Sequence, residues 1–177
     1  MLMIREEQPG DLASIDRVNE RAFDQPQEAA LINALRAGGG VTLSLVALEN
    51  STIIAHILFS PVTIRSETDT FEAVGLGPMA VDPDRQRRGI GSQLVHAALD
   101  RLRAAGHALV VVLGHPEYYP RFGFRRASEF GIRWEHDAPD AAFMVLELIP
   151  GGLSGSPTTG AGPSGTVCYR PEFDGLE

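Results

Sequence analysis

Along the first forty positions the apolar residues recur with the period of a helix. Ile4 and its neighbours predict a short opening strand, and Pro9 followed by Asp11 marks the first turn of a helix. Leu12, Ile15, Val18, Ala22 and Phe23 fall at helical spacing. A second helix is predicted from about Pro26, burying Ala29, Ile32 and Leu35 and stopping at Gly38-Gly39-Gly40. The pattern then changes to runs rich in Val, Ile and Leu. Leu43 to Leu48 and Thr52 to Pro61, separated by Glu49-Asn50-Ser51, predict a hairpin, and a polar stretch from Arg65 to Thr70 leads into a third strand, Phe71 to Val81. Ile90, Leu94, Ala98, Leu99 and Leu102 restore the helical period up to Gly106. Ala108 to Leu113 is almost continuously apolar, as in a strand covered on both faces. From Phe71 to Leu113 the order strand, loop, helix, strand makes a βαβ-like unit.

Beyond Gly114 a short helical segment is predicted from Pro116 to Phe122, ended by Gly123-Phe124, and a last core strand from Ala141 to Leu148. The element order is α+β, with no internal repeat. Gly151 to Thr166 is rich in Gly, Ser, Thr and Pro and too poor in apolar side chains to hold a core, so a mobile loop is expected there. Val167 to Phe173, with Tyr169 and Phe173, leaves open both a docked segment and an unattached tail. We expect one domain over residues 1–150 and, over 151–177, a loop and C-terminal extension docked on that domain.

A chain of 177 residues, 44% hydrophobic and 21% charged, has the composition of a globular domain, and one of this size buries roughly 70% of its unfolded surface. The single cysteine, Cys168, excludes an internal disulfide. Arg5, Glu6 and Glu7 come before any apolar stretch long enough for a signal peptide or a membrane span, so a cytoplasmic protein with no membrane attachment is expected. The net charge of -8 argues against a nucleic-acid partner. Basic charge is concentrated at one place, where Arg85, Arg87 and Arg88 lie around Gln86.

Those arginines belong to a stretch running from Met79 to Ser92, off a strand and into a helix. Gly89 and Gly91 let main chain approach a ligand, the first N–H groups of the helix point at an anion, and the helix dipole and arginines add positive potential. The chemistry suits a diphosphate. A Walker loop is excluded, because Ser92 and Gln93 follow Gly91 where Lys and Ser/Thr are needed. Gly75-Leu76-Gly77-Pro78-Met79-Ala80 matches a dinucleotide fingerprint in letters only, since Val81-Asp82-Pro83 follows instead of a helix.

Gln86-Arg87-Arg88-Gly89-Ile90-Gly91 resembles the coenzyme A pyrophosphate signature of the GNAT acetyltransferase superfamily, and Tyr119-Pro120-Arg121-Phe122-Gly123-Phe124 resembles its downstream Y-x-x-x-G-F motif. The resemblance covers about Ile4 to Leu148. It implies a mixed, mostly antiparallel sheet flanked by helices, with a fourth strand, bulged near Pro78, that splays from the fifth. It also implies acetyl-CoA as co-substrate, bound by Met79, Ala80, Val81, Gln86, Arg87, Arg88, Gly89, Ile90, Gly91 and Ser92. The reaction implied is direct attack of a neutral amine on the thioester, with Tyr119 as the acid for the leaving sulfur and Tyr118 as a second candidate. For the base the resemblance offers Glu72 on the strand, and His115, just past the fifth strand, has an imidazole suited to pH 7. Both residues also fit solvated positions without a catalytic duty, and Tyr119 also fits an aromatic packed beside Phe122 and Phe124. His56, His96, His107 and His136 lack metal-ligand spacing, so no metal is expected. The acceptor is expected to be a small-molecule or peptide amine and the protein a monomer or homodimer. The alternative is a non-catalytic acyl-CoA-binding or sensing domain of the same fold.

Overall fold

The computed structural model describes residues 1–154 and 162–175. Strand β1 (Leu2–Glu6) leads through a single 3-10 turn at Pro9–Asp11 into helix α1 (Leu12–Phe23). Asp11 fixes that entry, because its carboxylate accepts from Gln8 N at 2.7 Å and from Arg5 at 2.6 Å. Helix α2 (Gln27–Ala37) ends where Gly38 N donates to Ala34 O and Gly40 N to Leu35 O, with Gly39 at a φ of 68°. Ile15 and Val18 from α1 pack with Leu31, Ile32 and Leu35 from α2.

Strands β2 (Leu43–Glu49) and β3 (Thr52–Arg65) form the hairpin, and Asn50 and Ser51 adopt φ of 49° and 64°, the two left-handed residues of a tight primed turn. Strand β4 (Thr70–Val81), helix α3 (Ile90–Ala104) and strand β5 (Leu109–Leu113) follow. β4 and β5 run parallel through Val74–Val110, Gly75–Val111 and Leu76–Val112. Pro78, which has no N–H for a ladder, stands just past that register, after a cis Gly77-Pro78 bond.

The predicted helix at Pro116 to Phe122 is a single 3-10 turn, Tyr119–Phe122, since Pro120 and Gly123 leave no room for a longer one. The strand predicted at Ala141 to Leu148 is β8 (Phe143–Glu147), antiparallel to β5. It is not the last strand. Short strands β6 (Arg125–Arg126) and β7 (Ile132–Trp134) precede it, and β9 (Gly165–Cys168) begins inside the stretch expected as loop. Residues 155–161 of that expected loop lie outside the described residues. Among the described residues the nine strands form one mixed, mostly antiparallel sheet in the order β1-β2-β3-β4-β5-β8-β6, with β9 pairing β3 and β7.

The chain gathers into two compact units. The first comprises Met1–Ser60, Gly77–Asp100 and the segment from Pro171; Ile15, Val18, Ile32, Leu35, Val46 and Leu58 make its core, with Phe173 packed against them. The second comprises Pro61–Leu76 and Arg101–Arg170 and is built on Val62, Ile64, Leu109, Val111, Ile132, Val145 and Val167. No described helix is long and apolar enough to cross a membrane.

Candidate functional site

In the first unit β4 delivers Met79, Ala80 and Val81 to a loop. Ala80 is buried in the core, so what it offers a ligand is main chain, while Met79 and Val81 are half-buried. Asp82 then sets the turn: its N–H donates to Ile54 O at 2.8 Å, its carboxylate accepts from Asp84 N at 3.0 Å, and its carbonyl accepts from Arg85 N at 2.8 Å. Gln86 Nε2 reaches back to Val81 O at 3.1 Å, which makes Gln86 an internal brace of the loop.

Arg87 and Gly89 adopt positive φ, 62° and 76°. A Cβ at Gly89 would meet nothing within 4 Å, so glycine there answers to backbone conformation and not to crowding. Left-handed residues in such a turn curl successive N–H groups into a concavity that favours anions. The first hydrogen bond of α3 runs from Gln93 N to Gly89 O at 3.1 Å, and the N–H groups of Ile90 and Gly91 ahead of it have no acceptor within the helix. Ile90, 6% exposed, anchors this end in the core. Of the three arginines, Arg85 is engaged elsewhere, its Nε donating to Glu49 Oε2 at 2.8 Å. Arg87 and Arg88, just ahead of Gly89 in the chain, are exposed.

In the second unit β5 ends at Gly114, whose N–H donates to Ala142 O at 2.9 Å. His115 O accepts from Tyr118 N at 3.0 Å and Tyr119 N at 3.4 Å, so His115 and the two tyrosines share one turn. Tyr119 is 6% exposed, its ring edge-on to Tyr118 at 5.1 Å and to Phe124 at 5.6 Å. It also lies over Gly114, where a Cβ would come within 2.9 Å of Tyr119 Cδ2. Burial, with Tyr118 adding to it, raises the Tyr119 pKa above the ordinary phenol value. Tyr118 is half-buried beneath the Arg121 guanidinium, 4.4 Å above its ring. His115 and Glu72 are both exposed, the latter on β4.

One polar cluster in the first unit escaped sequence reasoning. His56 on β3 is fully buried; Asn19 Nδ2 faces its Nδ1 at 3.2 Å and Ser44 Oγ its Nε2 at 2.8 Å. With Nδ1 accepting, Nε2 carries the proton toward Ser44, whose hydroxyl donates to Glu7. Glu7 is held in turn by Arg36 through bonds of 2.9 and 2.8 Å. Polar Ser44 and His56 in the middle of apolar strands were the available signal, since a buried polar residue there needs a partner. Among the described residues there is no group of three His, Cys, Asp or Glu side chains able to hold a metal ion.

A sequence model described as an acetyltransferase (GNAT) domain matches residues 3–127. The chain belongs to the GNAT acetyltransferase family. It is 38% identical to YhbS of Escherichia coli, named an uncharacterized N-acetyltransferase, over 98% of this chain and 99% of that one. The crystal structure of E. coli YhbS in complex with CoA superposes with a TM-score of 0.90 at 35% identity, covering 99% of this chain and 93% of the other. A GNAT family acetyltransferase from Brucella melitensis, solved in complex with acetyl-CoA, gives a TM-score of 0.78 at 37% identity, with 98% and 99% covered. As a GNAT protein the chain is an acyltransferase, and its sheet, with a parallel β4–β5 pair, is that of the family.

Proposed function

We propose that this GNAT protein moves the acetyl group of acetyl-CoA onto a primary amine, with the loop from Val81 to Ser92 as its diphosphate site. The observation that carries the reading is the backbone of that loop: Arg87 and Gly89 in the left-handed region, directly ahead of the open N–H groups of Ile90 and Gly91. The residues present fit the cofactor, since Arg87 and Arg88 are exposed beside those donors and Ala80 presents only main chain. Met79 and Val81 main chain would hold the pantetheine amides, and Gln86 would brace the loop. The two relatives bound to CoA and acetyl-CoA support the same assignment.

Acetyl-CoA supplies an activated thioester. The chain's own residues orient it and handle two protons. Tyr119, whose phenol is protonated at neutral pH, donates to the departing sulfur, with Tyr118 next to it as the second candidate. His115, on the same turn, and Glu72, on β4, are the candidates that take the proton from the attacking amine. The acidic balance of the chain favours a cationic acceptor, whether a small molecule or a peptide. We place the protein in the cytoplasm, as a monomer or homodimer, without membrane or nucleic-acid partners.

The test is thiol release from acetyl-CoA across a panel of amines, read with the purified chain. The sequence contains no lysine, so no side-chain amine of the enzyme competes with the added amine as acceptor. Amine-dependent thiol release is the expected result. Cofactor binding without release under any amine would make the chain an acyl-CoA sensor; no binding at millimolar acetyl-CoA would remove the cofactor reading.

A further inference from the structure

A loop that binds a diphosphate should not carry acid, yet Asp82 and Asp84 stand a few residues ahead of Gly89. Charges interact over a Debye length, about 8 to 10 Å at ordinary ionic strength, so two bare carboxylates in this segment would oppose an anion. The structure meets both of them with one side chain from another element. Arg21, in the last turn of α1, donates Nη1 to Asp82 Oδ2 at 2.7 Å and Nη2 to Asp84 Oδ2 at 3.0 Å.

Formal charge shows what this bridge changes. The three loop arginines are matched by Asp82, Asp84 and by Glu49, which holds Arg85 at 2.8 Å. Without Arg21 the loop and its partners are neutral; with it they are positive. The bridge also acts on shape. Asp82 is tied by its N–H to Ile54 O and by Oδ1 to Asp84 N, so an arginine on Oδ2 completes its hydrogen bonding and fixes the start of the turn. Its side chain is 14% exposed, against 70% for Asp84, so the Asp82 arm is the stronger one and the Asp84 arm is the more screened.

We infer that Arg21 is a positioning residue for the cofactor: it neutralises the two aspartates of the phosphate loop and so makes that loop receptive to the diphosphate of coenzyme A. The inference rests on the loop's proposed role as diphosphate site. Arg21 touches no reacting atom in this account. Its effect therefore scales with the charge of the ligand, which a purely structural clamp would not produce.

The experiment compares dissociation constants of coenzyme A and of S-acetylpantetheine, which lacks the phosphates. The proteins are the wild type, Arg21→Lys, Arg21→Ala, and Arg21→Ala combined with Asp82→Asn and Asp84→Asn. Asparagine at 82 keeps the oxygen that accepts from residue 84. Arg21→Ala is expected to weaken coenzyme A about three- to tenfold at low salt, less at high salt, and to leave S-acetylpantetheine unchanged. Arg21→Lys should keep most of the affinity, and the triple variant should return to within about twofold of wild type, because the carboxylates that needed masking are gone. Unchanged coenzyme A affinity in Arg21→Ala, or a loss that the triple variant does not recover, overturns the inference while the cofactor reading stands. A wild type that binds no coenzyme A sinks the cofactor reading itself, and this inference with it.

Discussion

A phenol holds its proton at neutral pH, so in the proposed acid role Tyr119 has one to give, and burial only raises its pKa further above the ordinary value. The position of the ring depends on Gly114, which has no Cβ to occupy the space the ring fills. These two residues make linked predictions. Tyr119→Phe removes one hydroxyl and keeps the ring that packs on Tyr118 and Phe124, so cofactor affinity and fold should persist. The single-turnover rate of acetyl transfer should fall about 10²-fold, the lower end for loss of a general acid, because a thiolate leaves fairly well unaided. Gly114→Ala keeps the hydroxyl but forces the ring aside; it should slow transfer comparably while costing about 1–3 kcal/mol of stability through overpacking. Tyr118→Phe is the control. A wild-type rate in Tyr119→Phe together with a slow Tyr118→Phe would move the acid role to Tyr118.

The same dependence on partners extends to the elements of the first unit. Asn19 on α1, Arg36 on α2, Glu7 just after β1, Ser44 on β2 and His56 on β3 form one polar chain, buried at Asn19, Ser44 and His56 and half-buried at Glu7 and Arg36. Burial lowers the His56 pKa from 6.5 to about 4; Glu7 opposes that shift and Arg36 adds to it. Between those two values the unfolded chain binds a proton that the folded chain refuses, so stability rises with pH across this window and is lost as pH falls. Urea titrations should show wild type losing about 2 kcal/mol from pH 7 to pH 5, and His56→Gln losing less than half of that. Glu7, whose pKa is lowered through its bonds to Arg36 and Ser44 against a desolvation penalty, loses its contribution only at more acid pH. Equal slopes in the two proteins would show that the imidazole is not the group that titrates. None of this cluster was visible as a cluster in the sequence, because Ser44 and Glu7 are 37 positions apart and the fold alone makes them neighbours. What was legible is what repeats locally: α1, α2 and α3 through their period, the β2–β3 hairpin through its turn, and the loop ahead of α3 and the turn at Tyr119 through contiguous motifs. Strands β6 and β7, of two and three residues, are too short to show an alternation, and β9 sits beside a glycine-rich stretch that masks it. For the same reason the partners of Arg85 and of Arg21 could not be read from the chain.

At the scale of the molecule, the residues after 161 are where composition is least informative and packing most so. β9 pairs antiparallel with β3 and parallel with β7, and Val167 at its centre is fully buried. Gly165 is required there, since a Cβ would run into the main chain of Arg65. Tyr169 is packed onto β4 at Gly75, where a Cβ would stand 2.7 Å from its ring. Phe173, half-buried, packs against the core of the first unit; Val167 belongs to the core of the second, and half-buried Tyr169 packs against it. We therefore propose that the described residues from 162 to 175 are part of the acetyltransferase domain. Fully burying a side chain such as Val contributes about 1.5–3 kcal/mol, so Val167 together with the half-buried Tyr169 and Phe173 contributes a few kcal/mol, against a total of about 5–15 kcal/mol for a whole domain. A chain ended at Pro150 would also leave the β3 and β7 hydrogen-bonding groups that face β9 without partners. It should lose cooperative thermal unfolding or precipitate. Because truncation is a blunt change, the full-length variants Val167→Ala and Phe173→Ala supply the graded test, each expected to lower the urea midpoint by the equivalent of about 2–4 kcal/mol. A chain ended at Pro150 that melts within a few degrees of the full-length protein, with both point variants near wild type, would make the extension an accessory segment and leave the domain complete at residue 150.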